Sequence, residues 1–63
     1  MSAESLAERF ARMDVADYHA LISATLEAGD MKGTAAAIQV MALYHPREAA
    51  YMLAMFDLVR DAQ

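Results

Sequence analysis

The chain has 63 residues, 59% of them hydrophobic and 22% charged, with two glycines, one proline and no cysteine. That composition excludes a disordered tail or a flexible linker, and the lack of thiols excludes a disulfide staple, a thiolate nucleophile and a zinc-thiolate site. Five Lys and Arg against nine Asp and Glu give a net charge of -4, which argues against direct binding to nucleic acid or to an anionic membrane surface.

Four helical segments are predicted, forming a single domain over residues 1–63. Ser5 and Glu8 stand at capping-box spacing, with Ser2 as an alternative start one turn earlier, and Leu6, Phe10 and Met13 repeat at i, i+4, i+7. Asp14 is placed to cap a second helix, with Asp17 in its first turn facing the positive end of the helix dipole. There Tyr18, Leu21, Ile22, Thr25 and Leu26 line one face, and Gly29 supplies the left-handed stop. Asp30 can cap a third segment with Met31, Ala35, Ile38 and Ala42 as its stripe, and small Ala36 and Ala37 allow another helix to approach closely. His45 ends it, because the residue before a proline avoids the helical region, and Pro46 suits the first turn of a fourth helix running towards Arg60. The expected fold is a small all-α bundle of about four helical segments around a central antiparallel helical hairpin.

The fourth helix carries the clearest functional signal. Between Tyr51 and Val59 only Asp57 is polar, so Tyr51, Met55 and Leu58 form one stripe and Met52, Phe56 and Val59 another. A helix apolar nearly all round must be buried on more than one side, and so short a chain has too few elements to surround it. Domains of this size commonly add disulfides, a metal or oligomerisation, and here association is the remaining route. The expected contact is Tyr51, Met52, Met55, Phe56, Leu58 and Val59, joined by Ile38, Met41 and Tyr44, with Asp57, Arg47 and Arg60 setting register at the rim. The many methionines on these stripes suit both core filling and an adaptable binding face.

Catalytic and ligand signals are thin. His19 lies about 100° round its helix from Tyr18, towards the polar side, and His45 reads as a cap or turn residue. Neither has metal-ligand spacing, the glycines are too few for a phosphate loop, and no serine sits in a nucleophile elbow. No enzyme activity, cofactor or metal is therefore expected. Glu4, Glu8, Asp14 and Asp17 head an acidic N-terminal half, which reads first as helix-terminal charges on a solvated face and second as a face for a basic partner. The first residues lack the basic and apolar blocks of a secretory signal. The near-apolar stretches, Ala35 to Tyr44 and Ala49 to Phe56, are shorter than the roughly 20 residues a bilayer requires. A cytoplasmic protein without a membrane span is the resulting expectation.

The segment Asp17 to Pro46 resembles a tetratricopeptide repeat at the level of spacing: Tyr18-x2-Leu21-Ile22-x2-Thr25, then Thr34-x3-Ile38, then Pro46. One repeat length of roughly 34 residues further on, Tyr18, Leu21, Ile22 and Thr25 map to Met52, Met55, Phe56 and Val59. Ile22 stands where that family has a glycine, Thr25 where it has an aromatic and Thr34 where it has an alanine. The resemblance implies an antiparallel helical hairpin, a protein-binding role and no catalysis. The function expected from residues and resemblance together is a non-catalytic protein-protein interaction module, a self-associating adaptor or structural protein. The alternative is a stoichiometric inhibitor or accessory subunit docking on a larger, nucleic-acid-handling complex through its acidic and Met-rich faces.

Overall fold

A computed structural model of the chain describes residues 5–62, which form four helices, the short turns between them and a flanking residue at each end. Ser2 and Glu4 lie outside the described residues. Helix α1 spans Leu6–Arg12, with the Ser5 hydroxyl accepting from the Glu8 N–H at 3.1 Å. Helix α2, Val15–Glu27, opens on a full reciprocal box: the Asp14 carboxylate accepts from the Asp17 N–H at 2.9 Å, and the Asp17 carboxylate accepts from the Asp14 N–H at 3.1 Å. It stops at Gly29, whose φ of +74° lets the Gly29 N–H reach the Leu26 carbonyl at 3.0 Å and the Asp30 N–H reach that of Thr25 at 2.9 Å.

Asp30 then caps α3, Met31–Tyr44, accepting from the Gly33 N–H at 2.9 Å. A Cβ on Gly33 would collide with that carboxylate, so the bare Cα lets the cap close. His45 is shared between the end of α3 and the start of α4, Pro46–Asp61, with proline in the first turn.

Helices α2 and α3 form the antiparallel hairpin, and α4 turns back along α3. The core is Tyr18 and Ile22 of α2, Ala37, Ile38 and Met41 of α3, and Ala49 and Phe56 of α4, with Thr34 fully enclosed beside them. The buried face of α3 is therefore rotated from the predicted stripe: Thr34, Ala37, Ile38 and Met41 point inward while Ala42 is exposed. Apolar periodicity missed Thr34 because its hydroxyl bonds within the fold, which removes the usual cost of burying it.

The two corners at one end are tied together. The Tyr18 hydroxyl donates to the Phe10 carbonyl at 2.6 Å, with the Phe10 ring stacked on Tyr18 at 6.3 Å and the His45 ring set edge-on at 5.7 Å. His45 Nε2 lies 3.0 Å from the Met13 carbonyl. A carbonyl only accepts, so that nitrogen carries the proton. His45 holds the expected cap and turn position through its backbone, and its side chain, which makes no cap hydrogen bond, serves as a bridge across the sequence. Burial, reinforced by neighbouring Tyr44, pushes the Tyr18 hydroxyl above the usual phenol range.

The molecule is elongated, 46 × 24 × 16 Å, with a radius of gyration of 12.3 Å against about 11 Å for a compact chain of this length.

Candidate interaction surface on helix α4

Helix α4 carries its two apolar stripes about 100° apart, one turned into the fold and the other out of it. Phe56 is buried and Met52 half-buried, but Tyr51, Met55 and Leu58 remain 67%, 48% and 69% exposed. Val59 belongs to the inner stripe by spacing and sits at its edge, 37% exposed. Exposed apolar residues scattered singly are ordinary, whereas three at i, i+4 and i+7 on one helix make a continuous strip.

Beside this strip runs a groove of about 230 Å³ between α2 and α4. Its α4 bank is Tyr51, Met52, Met55, Phe56 and Val59, and its α2 bank is His19, Ile22, Ser23 and Leu26. Thr34 of α3 forms the floor, so α3 lies behind the other two helices. Thr34 is held by the Asp30 carbonyl at 2.9 Å and by the Thr25 hydroxyl at 2.8 Å, and Thr25 also reaches the Ile22 carbonyl at 2.9 Å. The threonine hydroxyls beneath the groove are thus engaged inward, leaving mainly aromatic, aliphatic and thioether groups to face it.

Three of the expected contact residues lie mostly within the chain, although Phe56 still lines the groove. Ile38, Met41 and Phe56 are 3%, 0% and 5% exposed and pack inside their own chain, where they support the surface from beneath. Spacing put Phe56 on the right stripe but could not say which stripe α3 would cover. Tyr44 is 40% exposed at the far end of α3 and does not line the groove. His19, Ser23 and Leu26 are added; the gap that α2 and α4 leave between them has no signature in either helix alone.

Of the rim charges, Arg60 is fixed by an ion pair to Asp57 at 2.8 Å and lies over the Phe56 ring at 5.7 Å. Arg47 is exposed at the opposite end of the helix. Among the acidic residues, Glu8 is exposed in α1, Asp14 and Asp17 are occupied by each other's backbone in the α2 cap, and Glu4 is outside the described residues. Among the described residues no three His, Asp or Glu side chains are grouped to hold a metal ion, and no helix is long and apolar enough to cross a membrane. Comparison with family models, curated proteins and solved structures gives no match.

Proposed function

We propose that this chain is a non-catalytic protein-protein interaction module that self-associates through the outer face of α4 and the adjoining groove. The observation that carries the reading is the exposed strip Tyr51, Met55, Leu58, which continues into a groove lined almost wholly by apolar atoms. Covering it removes apolar surface from water, the main favourable term in protein association. The thioethers of Met52 and Met55 let the surface adapt to what covers it. Docking on a larger complex through the acidic half draws less support, because Asp14 and Asp17 already accept hydrogen bonds from backbone. The helical-hairpin resemblance agrees with a binding role and adds no ligand of its own.

Sedimentation velocity over a concentration series tests the reading. A mass above that of one chain, rising with concentration and falling back in Leu58→Asp, is the expected result. A strict monomer at every concentration would overturn self-association.

A further inference from the structure

The outer face of α4 has a pattern that fits a copy of itself. Arg47, Tyr51, Ala54, Leu58 and Asp61 follow one another at intervals of four, three, four and three residues, the spacing of a single seam along a helix. All five are exposed, so the seam looks outward along its whole length.

Its two ends carry charges poorly matched to their own helix. Arg47 sits in the first turn, at the positive end of the dipole, and Asp61 is the last helical residue, at the negative end. Among the described residues neither makes an ion pair. Each is well placed only if an opposite charge, or the opposite helix end, is brought to it.

We infer that the occupant of this face is a second copy of the chain, with α4 packed antiparallel on α4 about a two-fold axis at Ala54. This inference rests on the association proposed above. Arg47 and Asp61 each lie seven residues from Ala54, so the two-fold sets Arg47 of each copy opposite Asp61 of the other. Tyr51 and Leu58, three and four residues either side, come opposite each other. Ala54 is the smallest side chain of the seam and falls where the helices come closest. A parallel pairing would instead set Arg47 against Arg47 and Asp61 against Asp61, a like-charge contact at both ends. An isologous contact also closes at two chains and leaves no open strip to propagate.

The test combines charge exchange with cross-linking. Sedimentation equilibrium at low salt should give a dimer for the native chain. Arg47→Glu and Asp61→Lys should each weaken it roughly tenfold, and the double variant should bind within about twofold of native. Both single changes improve the match to the helix dipole, so thermal stability of the monomer should hold or rise while dimerisation falls. The chain has no cysteine, so Ala54→Cys should form a disulfide-linked dimer on mild oxidation, while Lys32→Cys, at an exposed position of α3 off this face, should not. Facing Cα atoms of helices about 8–10 Å apart come within the span of a disulfide. A dimer indifferent to the charge variants and not captured by Ala54→Cys, or an assembly larger than two, overturns the antiparallel pairing and leaves self-association standing. A native chain that stays monomeric overturns both.

Discussion

The hydroxyl oxygens of Thr25 and Thr34 meet across the α2–α3 hairpin at 2.8 Å, each also within 2.9 Å of a backbone carbonyl. Two hydroxyl protons serve three oxygen-oxygen contacts, so one contact always lacks a proton, and either hydroxyl can donate to the other while that partner keeps its own carbonyl. Removing one hydroxyl leaves the other with its own carbonyl and orphans nothing. Thr34→Val should therefore cost no more than about 1 kcal/mol, whereas Thr34→Ala, which empties space at a fully enclosed position, should cost about 2. Urea unfolding of the two variants checks the order; a larger loss for valine would refute it.

Tyr18 should make the fold sensitive to alkali. Its hydroxyl is held above the ordinary phenol value, first by burial and second by Tyr44. The folded state therefore favours the protonated form. Its contribution is complete below the unfolded value near 10 and is lost as pH rises from there through the raised folded value. Tyr18→Phe should lose about 1 kcal/mol at neutral pH, for the bond to Phe10, and show a shallower decline in stability above about pH 10. Urea midpoints across that range would show it; parallel curves for the two proteins would count against it.

The His45 bridge predicts a local effect. His45→Ala removes the partner of the Met13 carbonyl and the edge contact to Tyr18. A loss of about 1–2 kcal/mol is expected, with faster amide exchange concentrated in α1 and the first turn of α2. Uniformly faster exchange across all four helices would contradict the bridging role.

On α4, two neighbouring apolar residues should respond in opposite ways to the same change. Phe56→Asp places a charge in the core and should unfold the chain, costing about 4 kcal/mol or more. Leu58→Asp, at a position 69% exposed, should leave stability within about 0.5 kcal/mol and reduce association. Circular dichroism and sedimentation together separate the two.

Helix boundaries were legible because each is written in short-range chemistry: Ser5, Asp14 and Asp30 as caps, Gly29 as a stop, and Pro46 as a start. The two stripes of α4 were legible too, since they depend on spacing within one helix. What sequence could not supply was the partnering between helices. It counted Ile38, Met41 and Phe56 among the partner contacts because it could not tell which sides of α3 and α4 would meet each other. It read Thr25 and Thr34 as poor matches to a repeat pattern, although their mutual hydrogen bond explains both. The reach of His45 to Met13 crosses 32 residues, about half of the chain, beyond any local rule.

The cross-section of 24 × 16 Å is little more than the width of two helices by one and a half. Few positions in such a slender body lie far from solvent; half of them run along the inner side of α3, and the rest are the residues of α2 and α4 that pack on it. Tolerance to substitution should accordingly fall off sharply along one line, Thr34, Ala37, Ile38 and Met41, and at Tyr18, Ile22, Ala49 and Phe56 facing it, and stay high on the outward sides of the helices. A saturation library would trace that line as a narrow spine of intolerance.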